Sequence, residues 1–145
     1  MIKLKYLLAF LLIGSFSIIL TGCLVGVPDV GHAVRVFERN EDKFISISAI
    51  LFEMYDEKGR IPTNEERLEN EELNGLTEKL METIISIRFV DPDVILFTTD
   101  APFQAVRGIA ITRNDFEHEP RTIWGIQGLA FSRVDDNIYR FSGGN

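Results

Sequence analysis

The feature that most constrains this chain is an apolar segment near its N-terminus, residues 6–20, which contains no charged side chain. Lys3 and Lys5 precede it. A short basic region followed by an apolar stretch is the layout of an export signal, because the lysines stay on the cytoplasmic side while the apolar stretch enters the membrane. The stretch approaches the length of a membrane-spanning helix, so an uncleaved membrane anchor is the alternative. Both interpretations tether the rest of the chain to a membrane.

The residues that follow the apolar segment favour the cleaved form. Leu20-Thr21-Gly22-Cys23 resembles the lipobox of bacterial lipoproteins. The resemblance covers residues 1–23 and implies diacylglycerol on the Cys23 sulfur, cleavage after Gly22 and often acylation of the new amine. We therefore expect residues 1–22 to be a removed signal peptide and acyl chains on Cys23 to hold the protein at a membrane. Leu24 resembles the residue found in lipoproteins sent to the outer membrane, where the host has two membranes.

Cys23 is also the only cysteine in the chain. Once its sulfur is lipidated, no thiol remains for a disulfide, a cysteine–zinc site, an iron–sulfur cluster or a cysteine nucleophile. The folded part must therefore be stabilised by its apolar core.

The composition predicts one acidic globular domain. Removing residues 1–22 removes two lysines and no acids, which leaves 123 residues with 13 basic and 22 acidic side chains and a net charge of −9. This length suits a single domain, and the negative charge disfavours nucleic-acid binding. The acidic residues are densest at Asp56, Glu57, Glu65, Glu66, Glu69, Glu71 and Glu72. Such a run is typical of a solvated surface, although it could also attract a cationic partner or calcium.

The order of patterns predicts an α+β fold. We assign residues 23–39 to the lipidated cysteine and a tether, and residues 40–145 to the domain, with residues from about Gly31 as an alternative start. Asn40 is a good N-cap for a helix that ends at Gly59, and its apolar residues Phe44, Ile47, Ile50, Leu51 and Met54 share one face. The segment 44–49 also alternates like a strand.

A second helical stretch follows, with its N-cap at Thr63 or Asn64, and Thr63 with Glu66 fits the spacing of a capping box. It carries Leu73, Leu76, Leu80 and Ile84 on one face, and we expect an interruption near Asn74-Gly75. The preceding stretch, residues 55–63, has a faint resemblance to the region after the long helix of type IV pilins and pseudopilins. The mature start at Cys23 departs from that family, because it lacks the hydrophobic helix with an early glutamate on which filament packing depends.

The C-terminal half predicts strands. Residues 84–90 and 94–99 form a hairpin around Asp91-Pro92-Asp93, and residues 105–112 form a third strand, with Gly108 as a candidate bulge. Residues 129–134 and 138–142 form another hairpin around Asp135-Asp136-Asn137. The expected architecture is one or two amphipathic helices packed on an antiparallel sheet of four to five strands.

No set of residues predicts catalysis, a cofactor or a metal. Asp115, Glu117, His118 and Glu119 lie close together, but they match no zinc-site spacing and fit an exposed loop. No serine lies in a nucleophile elbow, although Ser132 or Ser142 could still meet His118 in space. Trp124, with Phe116 and Phe103, is a candidate contact for a partner, and core packing of Trp124 is the alternative.

Two classes of function remain open at this point. The first is a non-enzymatic envelope lipoprotein that binds another protein or a cell-wall component. It includes the pilin-like alternative, for which one unbroken helix from about residue 30 to 58, packed along the sheet, would be expected. The second is a small hydrolase whose site assembles only in three dimensions. The missing motifs and the short chain favour the first class.

Overall fold

The computed structural model describes residues 31–101, 105–114 and 128–144. Three helices precede five strands, and their bounds are α1 His32–Lys58, α2 Asn64–Glu69, α3 Glu71–Met81, β1 Ser86–Asp91, β2 Val94–Asp100, β3 Ala105–Thr112, β4 Leu129–Asp135 and β5 Ile138–Gly144. The strands form one antiparallel sheet in the order β1-β2-β3-β5-β4. The predicted α+β class is confirmed, and so are the two predicted hairpins, β1–β2 and β4–β5.

The long helix α1 begins at His32, so the predicted N-cap at Asn40 is wrong. The chain does leave helical dihedral angles at Asn40, with φ −134° and ψ 20°, and kinks there. However, the Asn40 side chain donates to the Val36 carbonyl at 3.0 Å and does not cap a new helix. The residues before the kink stay helical because Ala33 and Phe37 are buried in the core. Residues 32–39 of the expected tether are thus packed into the fold.

The main core lies between α1 and one face of the sheet. Phe44 is fully buried, and its ring lies 5.4 Å from the ring of Phe37 and 4.6 Å from that of Phe97 in β2. The helical face predicted from the sequence points into this core. Its other members come from α3, from the connection between α3 and β1, and from the strands: Leu73, Leu80, Ile84, Phe89, Ile95, Ile109, Ile111 and Ile138. Residues 44–49 are therefore helical, despite their strand-like alternation, because the helical face packs on the core.

The two short helices meet at Asn70. The predicted capping box is confirmed at Thr63, whose hydroxyl accepts from the Glu66 N–H while the Glu66 carboxylate accepts from the Thr63 N–H. The predicted interruption near Asn74-Gly75 is wrong, because Asn70 has extended dihedral angles and caps α3 by accepting from the Leu73 N–H at 2.9 Å. Gly75 lies inside α3.

The sheet is closely spaced around Gly108 in β3. A β-carbon at this position would lie 1.9 Å from the Phe97 carbonyl oxygen and 2.8 Å from the Phe141 ring. The irregular register lies opposite it in β2, between Thr98 and Asp100, so the candidate bulge is on β2 and Gly108 itself is a point of close approach. The face of the sheet that points away from the helices carries a second apolar cluster, whose described members all come from strands: Val90, Val94, Leu96, Val106, Ala110, Leu129, Phe131, Tyr139 and Phe141.

Arg113, just after β3, joins the sheet to the end of α1. Its guanidinium donates to the Phe52 carbonyl at 2.8 Å and to the Asp56 carboxylate at 2.7 Å. The same group lies 4.6 Å from the centre of the Phe52 ring, within the range of a cation–π contact. These contacts fix the C-terminal half of α1, the half that lines the site described below, over the sheet.

Candidate functional site

The site residues chosen from the sequence lie outside the described part of the chain. This applies to the lipid attachment site Cys23 and to the candidate partner contacts Phe103, Phe116 and Trp124. It also applies to His118 and the acidic residues beside it. The lipid-anchor, aromatic-contact and hydrolase hypotheses therefore stay predictions.

Within the described ranges, no group of three or more histidine, aspartate, glutamate or cysteine residues is placed to hold a metal ion. Ser132 faces Arg140 across the β4–β5 pair, and Ser142 lies near the end of β5 between Arg107 and Ala130. Among the helices at 32–58, 64–69 and 71–81, none is both long and apolar enough to cross a membrane.

The structure reveals a groove that the sequence analysis did not predict. It lies between the three helices and the start of β1, has a volume of about 430 Å³, and is called the edge groove below. α1 contributes two core residues to its floor, and the remaining lining comes from α2, α3 and residues 85–87. The full lining is Ile47, Leu51, Asn64, Arg67, Leu68, Leu73, Asn74, Thr77, Met81, Ile85, Ser86 and Ile87.

Large apolar side chains of the edge groove are exposed to solvent. Leu68 is 65% exposed, Ile85 52% and Met81 42%. In the described part of the chain only two other large apolar residues, Ile45 and Ile61, are classed as exposed, and neither lines the groove. Single exposed apolar residues are ordinary on protein surfaces, but a cluster around a concavity is typical of a binding site.

Arg67 is the only charged residue that lines the edge groove. Its Nε is buried and has no hydrogen-bond partner. Burial lowers the pKa of the Arg67 guanidinium from its ordinary value, because the charged form is poorly solvated there. An arginine in this state is a candidate to bind an anion, since a partner would recover the interaction that burial removes.

The acid next to Arg67 in the sequence is already bound by other groups. The Glu66 carboxylate accepts from Arg60 at 2.6 Å and from Lys58 at 2.8 Å, in addition to the Thr63 N–H. These hydrogen bonds hold the pKa of Glu66 far below its ordinary range. Glu66 is therefore bound to Arg60, Lys58 and Thr63, and the guanidinium of the neighbouring Arg67 lines the groove.

The groove borders an edge of the sheet. β1 is the first strand in the sheet order and pairs only with β2 among the described strands. Ser86 and Ile87 of β1 both line the groove. An edge strand presents backbone N–H and C=O groups that another extended chain can pair with. The site thus combines an apolar concavity, one cation and a strand edge.

Sequence reasoning missed this site for an identifiable reason. The apolar face assigned to the second helical stretch contains Leu73 and Leu80, which are indeed buried. Leu68 and Met81 fall off that face, and an apolar residue without a core partner is the signal that was available. The signal is weak alone, because it becomes a site only when α2, α3 and β1 are brought together.

Comparison with known proteins adds no relative: no protein-family description, no curated protein and no solved structure is significantly similar to this chain. The function proposed below is therefore inferred from the chain's own residues and geometry.

Proposed function

We propose that this protein is a non-enzymatic binding module of the bacterial envelope, anchored to a membrane by acyl chains on Cys23. The observation that carries the proposal is the edge groove with its exposed apolar rim and its unpaired Arg67. Leu68, Met81 and Ile85 would each lose contact with water when a ligand binds. Burying apolar surface contributes about 25 cal/mol per Å², so a ligand that covers this rim gains free energy that the unliganded domain lacks.

The proposed anchor would limit how far the domain can lie from the bilayer. His32, the first residue of α1, is nine residues after Cys23. An extended chain spans at most about 3.5 Å per residue, so the start of α1 would lie within about 30 Å of the lipidated residue. A partner in the same membrane, or in the adjoining cell wall, would be within reach, which is the environment expected for an envelope binding protein.

The proposal is tested by photo-crosslinking in the native membrane. A photoreactive amino acid replaces Leu68 in the full chain, and a control protein carries it at Ile45, an exposed apolar residue of α1 outside the groove. We expect the Leu68 probe to give a discrete adduct that the Ile45 probe does not give. We also expect Ile85→Asp to abolish that adduct, because a carboxylate in the groove opposes apolar contact. Identical adducts from both positions, or none from Leu68, would refute the proposal.

The proposed lipid anchor is tested by a separate experiment. Mass spectrometry of the protein from native membranes is expected to find an acylated Cys23 at the N-terminus. An unmodified thiol at this position with the initiator methionine retained would contradict the anchor and leave the groove hypothesis standing.

A pilin-like subunit is the second candidate, and one observation favours it. A single helix, though kinked at Asn40, spans His32–Lys58 and contacts β2 and β3 of an antiparallel sheet. The lipidated start at Cys23 would lack the hydrophobic helix that packs such subunits into filaments. Electron microscopy of cell surfaces with and without the gene is the test, and filaments that disappear with the gene would favour this candidate.

A further inference from the structure

We propose that the ligand of the edge groove is an extended peptide segment of a partner protein, which pairs with β1 as an added strand and places a carboxylate on Arg67. This inference rests on the proposed function and names the chemistry of its ligand. It follows from three properties that meet at one place: the strand edge, the apolar lining and the unpaired guanidinium.

The strand edge supplies the backbone contacts. β1 spans Ser86–Asp91, and its other edge is bonded to β2, with a further bond from the Ile85 N–H to the Thr98 carbonyl at 2.7 Å that extends the pairing past the end of the strand. β1 is therefore paired with β2 on one side, while its first two residues, Ser86 and Ile87, line the groove. A peptide that adds to such an edge gains main-chain hydrogen bonds regardless of its sequence.

The apolar lining supplies selectivity for side chains. In an extended peptide, alternate side chains point to the same side. A peptide paired with β1 would turn every second side chain toward the helices, where Leu68, Met81 and Ile85 present uncovered apolar surface. The lining has room for such side chains, since its volume of about 430 Å³ lies within the range of ligand pockets. The ligand is thus expected to carry apolar residues at alternate positions.

Arg67 supplies the charge selection. No acidic side chain lines the edge groove, and the Glu66 carboxylate is occupied by Arg60, Lys58 and Thr63. A carboxylate is the anion that a peptide provides, at its C-terminus or on an acidic side chain, and it matches the planar guanidinium with paired hydrogen bonds. The surrounding helices carry exposed acidic residues such as Glu65, Glu69 and Glu78. The attraction between Arg67 and a peptide carboxylate therefore acts only at short range, inside the groove.

A lipid acyl chain is the competing occupant. It would fill the apolar lining and its head group could reach Arg67, but it has no donors or acceptors for the backbone of β1. The strand edge therefore favours the peptide, and the experiment separates the two.

The test uses the full chain in lipid nanodiscs as bait for a random peptide library displayed with free C-termini. Selected peptides are synthesised and their dissociation constants are measured by fluorescence anisotropy. Each peptide is also made as its C-terminal amide, and as two versions N-methylated at alternate residues. Two matched pairs of variants serve as bait: Arg67→Gln with Lys79→Gln, an equal change of charge outside the groove, and Ile85→Asp with Ile45→Asp, an equal change of polarity outside the groove.

We expect selected peptides to alternate apolar residues and to end in, or contain, a carboxylate. Arg67→Gln and Ile85→Asp are each expected to weaken binding about tenfold or more, while Lys79→Gln and Ile45→Asp change it less than about twofold. One N-methylated version should lose binding and the other should keep it, because only alternate N–H groups of an added strand face β1. Removal of the carboxylate should match the effect of Arg67→Gln and add nothing to it.

Thermal unfolding without ligand tests the role of Arg67 separately. If Arg67 is reserved for a ligand, Arg67→Met removes an unpaired half-buried charge and should leave the melting temperature unchanged or raise it. A large decrease in melting temperature would assign Arg67 a structural role and overturn the inference. Failure of the library to give any peptide that discriminates Ile85→Asp from Ile45→Asp would overturn it too.

The two proposals can fail separately. A lipid adduct from the Leu68 photo-probe together with an unproductive peptide library would refute the peptide ligand and keep the binding function. The absence of any groove-specific adduct together with an unproductive library would refute both.

Discussion

Replacing glycine by alanine is expected to have opposite effects on stability at Gly108 and at Gly75. The reason is the close approach of β2 to Gly108. In Gly108→Ala the new β-carbon would lie 1.9 Å from the Phe97 carbonyl oxygen, and β-carbon contacts essentially never fall under 3.0 Å. The difference, 3.0 minus 1.9, means that about 1.1 Å of movement is needed. The obstructing atom belongs to the backbone of β2, an inner strand bonded on both sides, and the Phe141 ring blocks a second direction at 2.8 Å.

We expect Gly108→Ala to destabilise the domain by about 3 kcal/mol, at the upper end of overpacking effects, because a bonded strand has to move. Gly75→Ala in α3 is the matched control, since a β-carbon there meets nothing within 4 Å. Alanine has the better helix propensity, so this variant should gain about 0.5–1 kcal/mol. The two variants differ from the wild type by the same single methyl group.

Thermal unfolding of the full chain, followed by circular dichroism, measures both effects. For a domain of this size about 1 kcal/mol shifts the melting temperature by roughly 4–8 °C, so Gly108→Ala should lower it by about 12–24 °C and Gly75→Ala should raise it by a few degrees. A stable Gly108→Ala protein would refute the close pairing of β2 and β3 at this position. Equal effects of both substitutions would refute the argument from local space.

Three further perturbations test the packing and the charges. Leu80→Ala should cost about 2–5 kcal/mol in urea unfolding, because Leu80 is fully buried and its removal leaves a cavity. Arg113→Met should cost about 1–2 kcal/mol, since it keeps the aliphatic packing but loses the hydrogen bonds to α1, including the one to Asp56; no loss would contradict the described contact. The Glu66 carboxylate has a lowered pKa in the folded state, because it accepts from Arg60. Its contribution to stability is therefore present above the ordinary glutamate pKa of about 4.5 and is lost as the pH falls below that value. The stability difference between wild type and Glu66→Gln should shrink between pH 6 and pH 3, and a difference that grows in acid would contradict this sign.

The sequence alone determined the local structure where signals of short range agree. The capping box at Thr63, the end of α1 at Gly59 and the bounds of the strands depend on neighbouring residues, and all were predicted within a few positions. The Asp135-Asp136-Asn137 turn is a similar case, because Asn137 takes the positive φ of 60° that asparagine tolerates. The resemblance of Leu20-Thr21-Gly22-Cys23 to a lipobox is also local, and the lipid anchor that it implies stays a prediction.

Tertiary structure decided what depends on contacts between distant elements. Asn40 looked like a helix start, yet α1 runs through it because Ala33 and Phe37 gain more by packing on the core than a new cap would provide. The sheet order, with β5 between β3 and β4, is likewise a matter of long-range pairing. The edge groove forms where two short helices, separated at Asn70, bring Arg67 and Leu68 together with the start of β1. α2, α3 and β1 follow one another in the sequence, but the way in which they pack against each other and against α1 depends on tertiary contacts that no periodicity or motif predicts.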